Sequence, residues 1–379
     1  MSRTSLEVFF SAIDTLFFRG SRPHAAAGAS TLPSEFPPPV STLVGSLRTR
    51  LGDVLGADWS DLSKQPSIAA MIGGVDDTGE LAFSAFRLYK NKQRLFPMPN
   101  VLLETADSEI VKLDLGEAVH CDLGYVRLPQ LPMGVANAKP LENAWLTEEG
   151  FKRFLSGAIP EAEHIVRSRD LFTVESRLGI GRDAVSATVK SGLLYQTEHL
   201  RLAPEVEFSI VMSMPSQVAD DFKASIKSAP LQRFGGEGRM AHLRVADTVN
   251  QAEFTSINAA KLLVLISDML PESDFAQCPI KGLKPTQHEG VDCWEGEVHG
   301  VALRLWSVVS GKSKRYGGWD IRSNRPREVQ SYLPAGSCFF VEPINGAALD
   351  TLHGTQIGRC IDFGFGTIVC AQSLREERK

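Results

Sequence analysis

The sequence predicts an α+β protein built from two ferredoxin-like (RRM-like) βαββαβ domains in tandem, carrying large loop insertions. Three observations predict it. At 379 residues the chain is too long for one ordinary domain and comfortable for two. A strand, a helix, a glycine-rich loop and a second strand follow one another between Val206 and Val245 and again between Ser337 and Ala371. Their glycine loops, at Gly238 and Gly364, are about 126 positions apart, a domain-sized offset. Prolines at 97, 99, 129, 132 and 140 punctuate a stretch of irregular period, which reads as insertions on a core. The two domains are placed at 1–248 and 249–379.

The elements follow in order. Leu6–Ile13, with Phe9 and Phe10, is the first strand. It leads through Phe17–His24 and the small residues Ala25–Thr31 to Pro37-Pro38-Pro39. Ser41 and Thr42 are then placed to cap a helix through Leu43, Leu47 and Leu51, whose spacing of four puts them on one face. Gly45 and Ser46 inside it would admit another backbone or a phosphate. Leu81–Tyr89 and Gly124–Leu128 have strand content, and Leu146, Phe151, Phe154 and Leu155 give residues 147–156 a helical period. Val206–Met214 is a strand, and Ser216–Ala229 a helix with Val218, Phe222 and Ile226 on one face. Gly235-Gly236-Glu237-Gly238-Arg239 and the strand Met240–Val245 complete the first copy. The second copy is the strand Ser337–Val341, the short helix Asn345–Leu352, the loop Asp362–Gly366 and the strand Thr367–Ala371.

Composition bounds the function. With 43% hydrophobic and 22% charged residues the chain is ordinarily globular. Its longest apolar run, Leu262–Ile266, falls far short of the roughly 20 residues of a membrane span. Glu7 and Asp14 interrupt what could have been a leader, so a soluble, cytoplasmic protein with no membrane partner is expected. The six cysteines form no C-x2-C pair, which argues for reduced, packed thiols and against structural zinc. No metal or other cofactor is expected. The chain lacks a G-x-x-x-x-G-K-[ST] loop, an H-E-x-x-H pair and a complete G-x-G-x-x-G, and Asp76-Asp77 before Gly79 reads as a turn.

A net charge of −5 argues against indiscriminate coating of nucleic acid, but the cations are local. Arg87, Lys90, Lys92 and Arg94 form one stripe, and Lys312, Lys314, Arg315, Arg322, Arg325 and Arg327 a second. Basic stripes on an acidic chain suit a protein that binds one defined piece of nucleic acid and meets protein elsewhere.

An ordered set of segments sharpens this. It runs Asp14-Thr15-Leu16-Phe17-Phe18-Arg19 with Arg22-Pro23, Phe36-Pro37-Pro38-Pro39 with Ser41-Thr42-Leu43, Leu95-Phe96-Pro97 with Pro99, and Glu175-x-Arg177-x-Gly179-Ile180 with Gly192–Tyr195. It continues through Gly235–Arg239, Gly317-Gly318-Trp319-Asp320, Pro334–Ser337, Ile357-Gly358 and Gly364-Phe365-Gly366. The set spans nearly the whole chain and resembles the third Cmr-type RAMP subunit of type III-B CRISPR effector complexes. The resemblance implies a subunit with no active site of its own that binds the crRNA 5′ handle. It also implies two protein partners, the large polymerase-like subunit and the backbone RAMP subunit.

The chemistry of the segments fits such a role. A single-stranded handle needs donors for its phosphates and flat surfaces for its splayed bases. Arg19, Arg22 and His24 offer donors beside Phe17 and Phe18, of which one, by strand alternation, faces the core. Ser41, Thr42 and Gly45 open a helix start with Arg48 a turn on. Gly235, Gly236 and Gly238 let phosphates approach the main chain beside Arg239, while Glu237 pairs with Arg239 or Arg233 or orders the loop. Lys312, Lys314 and Arg315 precede Trp319, which either stacks a base or fills a protein interface. Arg177 beside Gly179 is a further contact or a turn residue. The alternative function is a crRNA-processing endoribonuclease, for which His24, His242 and His353 are the candidate acid–base groups.

Overall fold

The computed structural model describes residues 2–20, 31–182, 186, 188–249, 260–272, 278–320 and 325–373. In chain order the elements used below are β1 (Arg3–Ala12), α1 (Val40–Val54), α2 (Pro66–Ile72), β2 (Arg87–Lys90), β3 (Gln93–Pro97), β4 (Ala144–Thr147) and α3 (Glu148–Leu155). There follow β5 (Phe172–Arg182), β6 (Val189–Leu202), β7 (Val206–Pro215), α4 (Ser216–Ser228), β8 (Met240–Val245) and β9 (Leu262–Leu265). The last are β10 (Leu283–His288), β11 (Val291–Val298), β12 (Val301–Val309), β13 (Cys338–Pro343) and β14 (Ile368–Ala371). The protein is a strand-rich α+β chain.

Two compact units exchange segments. One comprises Met1–Lys92, Arg169–Asn250 and Arg315–Ser331, the other Gln93–Ser168, Gln251–Lys314 and Tyr332–Lys379. The sequence reading cut the chain once, at 248/249. The proline-punctuated insertion instead belongs with the C-terminal half, because Phe151 and Phe154 of α3 bury in one apolar cluster with Leu262, Val264, Phe340 and Val369.

In the first unit four strands run β2-β7-β1-β8, every neighbour antiparallel, with Val8 opposite both Ile210 and Val245. β1 leads through α1 to β2, and β7 through α4 to β8. Strand alternation gives the sheet one apolar face, with Leu6, Val8 and Phe10 of β1 and Phe208, Ile210 and Met212 of β7 buried. Leu43, Leu47 and Leu51 of α1 and Val218, Phe222 and Ile226 of α4 are buried as their spacing requires. Aromatic rings fill the centre: Phe234 lies 4.7 Å from Phe10 and 5.1 Å from Phe18.

The second unit has the sheet β10-β11-β12-β13-β9-β14, again antiparallel throughout. Its last four strands, β12-β13-β9-β14, repeat the order of the first unit. The helices differ: among the described residues the step from β13 to β14 carries only two 3-10 turns, Leu349–Leu352 and Ile361–Phe363. Coverage of one sheet face comes from α3, capped by the Thr147 hydroxyl, which accepts from the Gly150 N–H at 3.2 Å.

Candidate nucleic-acid interface

In the first unit, β5 and β6 form a long antiparallel hairpin in which Glu175 faces His199 and Arg177 faces Thr197. Residues two apart share a strand face, so Glu175, Arg177, Thr197, His199 and Arg201 lie together. The segment after β1 is tied to this hairpin by paired backbone bonds between Leu16 and Leu200, each 2.8 Å. That tie sets Asp14 beside the arginines. Its Oδ2 accepts from Arg177 Nη2 and from Arg239 Nη1, each at 3.2 Å, and its Oδ1 from Arg201 Nη2 at 3.1 Å. Arg201 also grips Glu175 through Nε and, at 3.1 Å, through Nη2. Three guanidiniums thus face two carboxylates.

The protonation states follow. The Thr15 backbone N–H, then Arg177 and Arg201, hold the Asp14 carboxyl below its ordinary value of 3.8. Arg201 does the same to Glu175, and Arg201 in turn is raised, chiefly by Glu175. His199 is 1% exposed, and burial first, then the charges of Arg239 and Arg177, push its pKa below the ordinary 6.5. Its ring nitrogens meet the hydroxyls of Thr15 at 3.2 Å and Thr197 at 3.1 Å.

The Gly235–Arg239 loop delivers the third guanidinium. Gly235 has φ +90°, and a Cβ there would stand 2.6 Å from the Phe17 carbonyl oxygen. The Gly236 N–H donates to that same oxygen at 2.8 Å, so loop and chain nearly touch. Bonds from Phe234 N to Arg239 O (2.9 Å) and from Arg239 N to Gly236 O (3.1 Å) close the turn. Tyr195 arches over Gly179 and hydrogen-bonds Glu237, and burial followed by that carboxylate raises its phenol pKa. Glu237 therefore orders the loop through Tyr195.

Of the residues singled out from sequence, Arg177, Gly235, Gly236, Gly238 and Arg239 come together here. Others go elsewhere. Phe17 and Phe18 are both 2% exposed, Phe17 stacked on His199 at 5.1 Å, so both are core where one was expected to be. Helix α1 starts at Val40 after Pro39 with no side-chain cap, so Ser41 and Thr42 lie within its first turn rather than capping it. The missing amide of a residue such as Pro39 costs nothing at that position. Gly45 is exposed and open, with no atom within 4 Å of a Cβ built there. Arg48 is buried and donates to the carbonyls of Ile72 and, at 2.5 Å, Gly74, closing the end of α2. The fold uses Arg48, against its assignment to RNA.

Arg19 is exposed and forms a lone bridge with Ser34. Arg22 and His24 lie outside the described residues, as does the side chain of Trp319, whose backbone pairs with Pro326. In the second unit Lys314 is paired with Asp268 at 3.1 Å, while Lys312 is exposed, 3.7 Å from Glu142. Arg315 is exposed at the start of the first unit's last segment. Arg177 sits mid-strand, not in a turn.

The sequence reading missed Asp14, Glu175, Tyr195, His199 and Arg201 as site residues. The signal was the period-two pattern Glu175-x-Arg177 and Tyr195-x-Thr197-x-His199-x-Arg201, which declares one polar face once residues 172–202 are recognised as a hairpin. Among the described residues no group of three His, Cys, Asp or Glu side chains could hold a metal ion, and no helix is long and apolar enough to cross a membrane.

The fold resembles that of a chain found in a CRISPR complex. A chain in a structure described as the type III-B Cmr-beta bound to cognate target RNA and AMPPnP superposes with a TM-score of 0.50 at 17% identity, over 88% of this chain and 86% of that one. A second structure, Cmr-beta bound to cognate target RNA, gives 0.49 at 18% identity over the same shares. No curated protein sequence matches. The model of the family described as CRISPR-associated protein (Cas_Cmr3) matches residues 9–372, nearly the full length, and the chain belongs to that family. It is a Cmr-type CRISPR-associated protein.

Proposed function

We propose that this chain is a non-catalytic subunit that binds the 5′ handle of the crRNA and docks the large polymerase-like subunit and the backbone RAMP subunit. The observation that carries the reading is the convergence of Arg177, Arg201 and Arg239 on an accessible patch of the first unit beside a glycine loop. Charge-assisted N–H donors in number are what a single-stranded phosphate backbone requires. Both units are read as ferredoxin-like RAMP modules, a reading supported by the repeated order β2-β7-β1-β8 and β12-β13-β9-β14. The Cmr-beta relatives were captured with target RNA, which accords with an RNA-bound assembly.

A binding role is supported over cleavage by the histidines. Attack by a 2′-OH needs an imidazole that reaches it. His199 is buried between two threonines, and His353 Nδ1 accepts from the Cys370 N–H at 3.1 Å. His242 is exposed on β8, and His242→Ala should leave crRNA precursor untouched by the protein, as the wild type does.

The test is fluorescence anisotropy of the full chain with a handle-bearing guide RNA and with one whose handle is scrambled. Arg177→Ala/Arg201→Ala/Arg239→Ala should lose about tenfold or more in affinity for the first. Equal, weak binding of both RNAs by wild type and variant would sink the reading in favour of a protein scaffold.

A further inference from the structure

The pocket that these three arginines form already holds a ligand, and the ligand is part of the chain. We infer that the Asp14 carboxylate stands in for an RNA phosphate: it fills the Arg177–Arg201–Arg239 pocket until a phosphodiester displaces it. The inference rests on the proposed RNA-binding role and says how that site is regulated before RNA arrives.

Four features of the geometry carry it. The three guanidiniums come from β5, β6 and the Gly235–Arg239 loop, so nothing local in the sequence forces them together. Each aims a terminal nitrogen at one carboxylate, two on Oδ2 and one on Oδ1, at 3.1–3.2 Å. A carboxylate and a phosphodiester both present two charged oxygens to such forks, which is why the same guanidinium geometry takes either. Secondly, donors exceed acceptors: even with Glu175 the patch keeps one cation in excess, and Nε of Arg239 is buried with no acceptor among the described residues.

Thirdly, Asp14 is accessible to a competing anion. It is 47% exposed, two residues past the end of β1, and Arg201 and Arg177 are 48% and 35% exposed, whereas Arg239 is 22% exposed and set by the Gly235 turn. Fourthly, the contact costs little to give up. Exposed ion pairs contribute little to folding, so a polyanion can exchange for Asp14 without unfolding its surroundings. In the absence of RNA the carboxylate keeps three like charges from repelling one another and orders them for the incoming phosphate.

Asp14→Asn removes the competing charge and keeps the shape, with Asp14→Ser as a second variant should the first fold poorly. Two measurements separate this inference from the reading it rests on. Thermal unfolding in rising inorganic sulfate, at constant ionic strength, probes the pocket without RNA. Sulfate should raise the unfolding temperature of Asp14→Asn more than that of wild type, and Arg201→Ala in the Asn background should abolish the gain. In anisotropy with the handle-bearing guide, Asp14→Asn should bind about two- to fivefold more tightly, the range an exposed ion pair spans. Its log–log salt slope should steepen, because a solution anion takes the place of Asp14 on the free arginines and is released when the phosphate binds. Absence of a sulfate effect, or weaker RNA binding by both variants, would overturn the inference and make Asp14 a positioning residue. A sulfate effect with no RNA binding by any form would uphold the anion pocket and overturn the RNA reading instead.

Discussion

The two units share a strand order and differ in what their sheets hide. In the second, β9 throughout and β13 from Cys338 to Val341 are apolar and buried: Leu262 and Val264 enter one core cluster, Leu263 and Leu265 another, and Phe340 and Phe339 divide the same way. Such continuous runs mark a sheet buried on both faces. In the first, β1 and β7 alternate, and the face away from Val8 and Ile210 carries Glu7 and Ser209. Glu7, 1% exposed, accepts from Arg87 Nη1 (3.0 Å), the Tyr89 hydroxyl (3.0 Å) and the Ser209 hydroxyl (2.7 Å). The second unit's central strands are buried by apolar contacts on two sides, and its sheet keeps its buried cation, Arg304, on β12 between Glu295 and Glu342. The first unit keeps a buried carboxylate on its central strand β1 and gathers arginines on its hairpin.

The largest effect should come from breaking that buried network. Glu7→Ala should destabilise the protein by about 3–5 kcal/mol, the usual cost of removing one partner of a buried ion pair. Replacing the pair together, Glu7→Met with Arg87→Met, should restore most of it, since neither charge of the pair is then left buried without its partner. Urea unfolding monitored by fluorescence reads both. The contrast between the units fails if Glu7→Ala costs no more than about 0.5 kcal/mol, as at an ordinary surface position.

A smaller effect sharpens the comparison through the two glycine loops. Gly235 of the first unit and Gly366 of the second both have positive φ, and a Cβ at Gly366 would stand 1.8 Å from the Ile357 carbonyl oxygen. Alanine at either should cost about 1–3 kcal/mol in backbone strain. Only Gly235→Ala should also weaken guide-RNA binding, because it shifts Arg239. If Gly366→Ala weakens RNA binding as much, the arginine pocket is not where the RNA is held.

Much of this architecture was legible beforehand, and the reasons are local. The spacing of Leu43, Leu47 and Leu51 and of Val218, Phe222 and Ile226 gave both long helices, and the repeated strand and loop order foretold the matched sheets. The interleaving of segments was not legible. That α3 would cover β9, β13 and β14 depends on which apolar face finds which, and Phe151 and Phe154 carry no address. At the site, Arg177 and the Gly235–Arg239 loop stood out because glycine clusters and lone arginines are visible in a string. Asp14, His199 and Arg201 did not, because their meaning arises from cross-strand register and from the Leu16–Leu200 tie. Arg48 misled for the converse reason: its cation was visible, and the carbonyls of Ile72 and Gly74 that it satisfies were not.

The smallest effect is one of pH, and it touches each unit through one histidine. His199 in the first and His353 in the second are both held below the ordinary value of 6.5, by burial in each case and also by Arg239 and Arg177 for His199. With the folded pKa depressed, the unfolded chain takes up its proton first, so stability is fully present above about 6.5 and falls as pH drops through the folded pKa. Asp14 and Glu175, held below 3.8 and 4.5, retain their charge across that window and add nothing to the slope until stronger acid. Unfolding temperature should therefore decline between pH 6.5 and 5. His199→Gln and His353→Gln should each flatten that decline, whatever they cost at pH 7.5. Arg239→Ala should shift only the His199 component toward higher pH, since it lifts one of the charges opposing protonation there and leaves His353 alone. A decline that is the same in wild type and both histidine variants would place the acid sensitivity elsewhere and separate it from the pocket.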